Sequence, residues 1–210
     1  MLFRSWHDMD ALTLLGVFIG AQFVIALLAA PVRRLTGMPP ASLPALALGL
    51  QTILLPAVGF VCARGLARRR GFRLRELLAP PPTVGWWRSI GFGALAYLAM
   101  MPLVGAGTYV WSEVLRAVNV PMAQQPVVDI LLGGGYPMWL RLQIMLLATT
   151  LVPAFEEVLF RGVILPLALR RTTPGRAIAA TAFIFAALHL HAPSVGPLFV
   201  VACALSLATA

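Results

Sequence analysis

Apolar residues fall into six long stretches, near 11–30, 43–63, 89–111, 138–169, 177–191 and 195–210, with polar residues gathered in the connections between them. Each stretch is at or near the roughly 20 residues that a helix needs to cross the hydrocarbon core of a bilayer. The pattern predicts an all-α, multi-pass transmembrane helical bundle of about six helices, a single membrane-embedded domain over 1–210. The fourth stretch is the longest and contains Pro153 and Pro166, so kinks are expected there. The sixth stops at Ala210 after sixteen residues, roughly 24 Å of helix at about 1.5 Å per residue. No charged or aromatic flank follows it, and the expectation is a C-terminally truncated span.

The connections differ in charge. The 64–88 segment carries Arg64, Arg68, Arg69, Arg70, Arg73, Arg75 and Arg88 against Glu76 alone, and the 170–176 turn carries Arg170, Arg171 and Arg176 with no acid. The 112–137 connection has Glu113, Asp129 and only Arg116. Basic residues concentrate in cytoplasmic loops, so the first two connections and the N-terminus are expected inside and 112–137 outside. Arg33 and Arg34 fall on the outer side and run against this scheme. Trp86 and Trp87 stand beside Arg88, where an interfacial anchor is expected. The stretch from Asn119 to Pro137 is too polar to span and reads as an outer loop or short re-entrant piece.

Composition agrees with the pattern. Hydrophobic residues make up 60% of the 210 and charged residues 11%, against about 25% charged in a soluble domain. The net charge of +9 does not point to nucleic acid, because the sixteen basic residues are all arginines spread between apolar runs, with no nucleic-acid motif. A lipid bilayer is the expected partner and no nucleic acid is. Cys62 and Cys203 lie in separate apolar runs and imply neither a disulfide framework nor a zinc knuckle. Asp8 and Asp10 precede the first apolar run, which argues against a cleaved signal peptide. Arginine-only basic usage with much Ala, Gly and Pro points to a GC-rich bacterial gene, and hence to a bacterial plasma membrane.

The chemistry is concentrated in the fourth and fifth stretches. Glu156 and Glu157 are adjacent inside an apolar run, and Arg161 follows Glu157 by four residues. A charge at the centre of a membrane helix costs about 2.5–3.5 kcal/mol on insertion scales, so such groups mark functional sites. The i,i+4 spacing lets Glu157 and Arg161 pair on one helix face, while Glu156 points about 100° away and is the candidate proton acceptor and donor. The fifth stretch places Phe185 and His189 four apart. Thr173-Pro174-Gly175 joins the two stretches; Glu156 lies seventeen residues before Thr173 and His189 sixteen after it. In an antiparallel hairpin the carboxylate and the imidazole would share one membrane depth and could activate a water, directly or through a metal. His191 is read as interfacial, Phe185 as packing, and His7 as outside the chemistry.

Several other chemistries lack their signatures. There is no H-E-x-x-H, no G-x-S-x-G (Ser194 sits in Ala-Pro-Ser-Val-Gly), and no Lys-Ser/Thr after Gly133-Gly134-Gly135 to make a P-loop. The Gly-Ser of rhomboid proteases and the Gly-Asp of presenilin-type proteases are missing too.

Glu156-Glu157-x-x-x-Arg161 followed by Phe185-x-x-x-His189 resembles the CAAX-protease and bacteriocin-processing (CPBP, or Abi) intramembrane endopeptidases, relatives of the type II CAAX prenyl endopeptidases. The resemblance covers about 138–210. It implies peptide-bond hydrolysis on a membrane-associated protein or peptide by water activated at Glu156, with Glu157, Arg161 and His189 completing the matched motifs and Phe185 in support. It also implies a further histidine and an asparagine on a later helix to hold the oxyanion. This sequence has neither, since Asn119 is its only asparagine and no histidine follows His191, so the resemblance implies a site incomplete within these residues. Zn2+ is the implied metal where members are described as metalloproteases, with Glu156 and His189 as its available ligands; two ligands fall short of the usual four. Two rival classes stand beside the endopeptidase: a non-catalytic scaffold or bacteriocin-immunity-type protein on the same fold, and a small proton-coupled transporter, although no internal repeat accompanies the latter.

Overall fold

The computed structural model describes residues 6–74, 85–133 and 135–207. Arg75 and Glu76 of the basic connection, Gly134, and residues 208–210 of the sixth expected span lie outside the described residues. The protein is all-helical, with no strand among the described residues. Its long helices are α1 (Asp8–Leu35), α2 (Leu43–Arg69) and α3 (Trp86–Ala117). A short α4 (Pro126–Leu132) follows, and then the fourth stretch: α5 (Met138–Thr149), α6 (Leu151–Glu156), a π-helical segment (Glu157–Ile164) and α7 (Leu165–Leu169). The chain continues through α8 (Pro174–Ala187) and α9 (Ala192–Leu207). Four helical stretches, Asp8–Leu35, Leu43–Arg69, Trp87–Ala117 and Met138–Leu169, are long and apolar enough to cross a membrane, and α8 and α9 are shorter and apolar. This is a multi-pass membrane protein.

All six expected stretches are helical, with corrected bounds. The 112–137 connection shortens, because α3 runs on to Ala117 and α4 lies inside it. The fifth helix starts at Pro174 and stops at Ala187, so His189 and His191 lie beyond its end. The reason is a switch in hydrogen bonding: the His189 and Leu190 amides donate to Ala186 and Ala187, three residues back, and Leu190 then takes a positive φ of 50°. The fourth stretch is broken at both prolines. Pro153 has no N–H for the Thr149 carbonyl, and the helix is interrupted at Thr150 (φ −123°, ψ −71°). The π-helical segment lies just ahead of Pro166, which likewise cannot donate to Gly162.

The helices group into two compact units, Met1–Leu77 with Gln124–Val163, and Leu78–Ala123 with Ile164–Ala210. In the first, α1 and α2 form a hairpin turned at Thr36–Ser42, where Gly37 adopts a φ of 67° that a side chain would disfavour. The open ends of this hairpin are tied together. Arg70, at the end of α2, donates from Nε to Asp10 Oδ2 at 2.9 Å and from Nη2 to Oδ1 at 3.2 Å, and the His7 amide donates to the same carboxylate at 2.8 Å. Trp6 packs edge-on to Phe72 beside this pair, with centroids 4.9 Å apart. Midway along, Gln51 donates to Gln22 at 3.3 Å. Helix α5 packs on α2 where Gly49 leaves room for Leu140, and Gln143 donates to the Gly49 carbonyl at 2.8 Å. Ala45, Ile130, Leu140 and Ile144 close this core. Arg141 caps α4, donating from Nε to the Leu131 carbonyl at 2.9 Å.

In the second unit, α3 and α9 approach closely through glycines: Gly107 lies against Val200 and Gly196 against Trp111. Leu165, Ala177 and Ile178 form the core between α7 and α8, with Cys203 of α9 against it. Along α3, Phe92, Leu95, Leu98 and Leu103 are exposed. Surface of that kind is what lipid tails cover.

The tie at the hairpin's open end generates a stability prediction. Arg70→Ala leaves the Asp10 carboxylate buried without its cation, and is expected to cost about 1.5–3 kcal/mol, read as a lower Tm of the detergent-solubilised protein. Asp10→Asn combined with Arg70→Ala should recover part of that loss; a double variant no better than Arg70→Ala alone would refute the assigned pairing.

Candidate functional site

The first motif sits at the junction of α6 and the π-helical segment. Its position is fixed by Phe155, which is 1% exposed. The Phe155 ring stacks on Phe18 of α1 (centroids 6.2 Å, 22°) and meets Phe60 of α2 edge-on (5.6 Å, 70°). It also presses on the backbone of α2 at Gly59, where an added Cβ would clash with the ring. Only glycine permits this approach. Phe155 therefore sets the depth and rotation of the residues that follow.

Glu156 comes next, half-buried at the end of α6, and Glu157 opens the widened turn. Arg161 Nη1 donates to Glu157 Oε1 at 2.5 Å. The expected i,i+4 pair is formed. Its members differ in exposure, the arginine side chain at 8% and the glutamate at 42%. Arg161 Nε is buried without a hydrogen-bond partner among the described residues, so the guanidinium keeps donor capacity beyond its acid. Helices with i→i+5 bonding occur mostly as single turns at functional sites; here it runs through Glu157–Ile164, between Pro153 and Pro166. Two prolines thirteen residues apart were the signal for a distorted helix, but not for which distortion.

The second motif lies in the other unit, in the turn that follows α8. His189 Nδ1 is 2.9 Å from the Phe185 carbonyl. A carbonyl only accepts, so Nδ1 carries the proton, and in the neutral ring the lone pair is at Nε2. The two rings touch edge-on, with centroids 4.9 Å apart and 62° between planes. Phe185 thus supports His189 through both its ring and its backbone, although the histidine is outside the helix. A helix carbonyl released at the C-terminus is a favourable partner for an imidazole N–H.

Two features of this turn went unread in the sequence. His191, read there as interfacial, lies with Nδ1 2.7 Å from Ser194 Oγ and Nε2 3.2 Å from the Ala123 carbonyl. Trp111 of α3 donates its indole N–H to the Ala192 carbonyl at 2.7 Å. These contacts span 68 and 81 residues of sequence, and no local pattern announces them.

Residues 137–210 match the Rce1-like family, type II CAAX prenyl endopeptidase Rce1-like. The match takes in Glu156, Glu157, Arg161, Phe185 and His189, and agrees with the resemblance drawn from the two motifs. No curated protein and no solved structure matches the chain. The match covers the segment that holds both motifs and supports a CAAX-type intramembrane protease family. As for the zinc some such enzymes are described with, no group of three or more His, Cys, Asp or Glu among the described residues could hold a metal ion. The described residues do not fit a zinc centre.

The Gly59–Phe155 approach generates the second prediction. Gly59→Leu overpacks the contact and is expected to destabilise by about 1–3 kcal/mol, measured by thermal unfolding in detergent. Adding Phe155→Leu should relieve part of the clash, and failure of the pair to recover any Tm would show that Gly59 does not seat Phe155.

Proposed function

We propose that the protein is an intramembrane endopeptidase that hydrolyses a peptide bond of a membrane-associated protein or peptide. The observation that carries this reading is the Rce1-like match over 137–210, which contains both polar motifs in one ordered segment. In this mechanism Glu156 takes a proton from the attacking water as the hydroxide adds to the scissile carbonyl, and returns it to the leaving amine. Glu157 neutralises Arg161 and holds it, so that the arginine's remaining donors orient polar groups of the site or substrate. His189 is the matched histidine of the second motif, its tautomer set by the Phe185 carbonyl.

The proposal extends to topology. The N-terminus and the Arg-rich end of α2 are taken to face the cytoplasm of a bacterial plasma membrane. This is supported by the Asp10–Arg70 tie, which brings those two ends together, and by the exposed Arg64, Arg68, Arg69 and Arg73 at that end.

Cleavage of a reporter peptide by protein reconstituted in liposomes tests the reading. Glu156→Gln is expected to lower kcat by about 10²–10⁴-fold, and His189→Ala to do the same, with folded protein recovered in normal amount. Full cleavage by both variants would overturn the assignment. A scaffold would keep its biological activity in Glu156→Gln, and a proton-coupled carrier would show Glu156-dependent flux without cleavage.

A further inference from the structure

His189 stands in a segment that has no helical ladder of its own. Helix α8 ends at Ala187, α9 begins at Ala192, and the four residues between carry the imidazole. Leu190 in this segment has a φ of 50°, a conformation that a branched, bulky side chain adopts only where the surroundings impose it. Three hydrogen bonds impose it here, and all lie just downstream. His191 Nε2 is 3.2 Å from the Ala123 carbonyl and must donate to it. Nδ1 is then the acceptor in the neutral ring, taking the Ser194 hydroxyl proton at 2.7 Å. The Trp111 indole donates to the Ala192 carbonyl at 2.7 Å.

Two of these three partners arise from one element. Trp111 is in the last turns of α3, and Ala123 is in the strand of chain that leaves it after Asn119, which turns the backbone with a φ of 57°. The position of Trp111 is itself fixed, because its ring lies on the bare backbone of Gly196, where an added Cβ would clash with Cγ. Helix α3 therefore grips the start of α9 at two points, one on each side of Pro193. Ser194 closes the grip from within α9, its amide donating to the His191 carbonyl at 2.9 Å while its hydroxyl meets the ring.

We infer that Trp111 and His191 are positioning residues for His189: they latch the 188–192 turn onto α3 and its outgoing loop, and so hold the imidazole where Phe185 fixes its tautomer. The inference rests on the endopeptidase reading of His189. Neither residue belongs to the two motifs. Their action is through the backbone. Without the latch, Leu190 relaxes toward negative φ, and the Cα of His189, one residue away, swings with it.

The test uses the full chain in detergent or liposomes. Trp111→Phe keeps an aromatic ring against Gly196 but removes the N–H together with part of the ring; His191→Ala removes both ends of the second contact; His191→Gln restores a donor and an acceptor. Trp111→Phe and His191→Ala are expected to lower kcat by about 10–100-fold, as for a misplacement near 1 Å, with KM within about twofold. His191→Gln should return most of the lost rate. The imidazole nitrogen shifts of His189, followed by NMR in protein with labelled histidine, should move in the two impaired variants and return in His191→Gln. Unchanged kcat per folded molecule with unchanged His189 shifts would overturn the inference, as would a loss of folded protein with normal kcat in what remains. If the wild type and Glu156→Gln are equally inactive, the endopeptidase reading fails, and the His189 shifts still decide whether the latch positions the ring.

Discussion

The arrangement at Glu157–Arg161 constrains everything around it. A guanidinium that is 8% exposed inside an apolar helix is tolerable only with its charge matched. Glu157 supplies the match from one turn earlier, and the side-chain geometry of that pair depends on the local helix. The i→i+5 winding of Glu157–Ile164 widens this turn, so the pair, the π-helical segment and the two flanking prolines have to be explained together. Remove the arginine and the neighbouring acids repel; remove the widening and the distance from Glu157 to Arg161 changes. The burden on the rest of the first unit is to hold this junction still.

It does so by close packing against backbone. Inside a bilayer, apolar side chains gain little by leaving lipid for protein, so helices associate through close approach and polar contacts. Both devices recur here. Gly59 receives the Phe155 ring and Gly49 receives Leu140, while Gln143 donates to the Gly49 carbonyl and Gln51 to Gln22. The same logic operates in the second unit, with Gly107 against Val200, Gly196 against Trp111, and the Trp111 indole on the Ala192 carbonyl. In each unit a large ring on one helix lies over a glycine on another, one residue before Glu156 in one case and seven after His189 in the other.

What the sequence made legible follows from how local each signal was. Six apolar stretches found six helical regions because span length is a property of contiguous residues. The Glu157–Arg161 pair was legible because i,i+4 spacing survives even in a distorted helix, and the family match spans the same short motifs. The end of α8 was placed four residues too late, since Leu188, His189 and Leu190 continue an apolar pattern and nothing in it signals the switch to i→i+3 bonding. Pro153 and Pro166 announced a disturbance without its kind, because loss of two N–H donors can be met by a break, a bend or a widened turn. Contacts such as Phe155 with Gly59, or His191 with Ala123, join residues 68 or more positions apart. They became visible only with the helices in place.

The placement of His189 outside a helix has a chemical logic. A histidine within a helix has both ring nitrogens to be satisfied by whatever neighbours it meets, and its tautomer is then set by distant residues. At a helix C-terminus the carbonyls of the last turn have lost their amide donors, and one of them, Phe185, takes the Nδ1 proton at 2.9 Å. The tautomer is thereby written into the backbone. The consequence is that the lone pair at Nε2 points along a direction determined by the α8 terminus and by the turn that follows. That turn is the weaker of the two supports, since its Leu190 is in an unfavourable conformation. A site built this way gains a defined imidazole at the expense of depending on contacts from α3, far away in sequence.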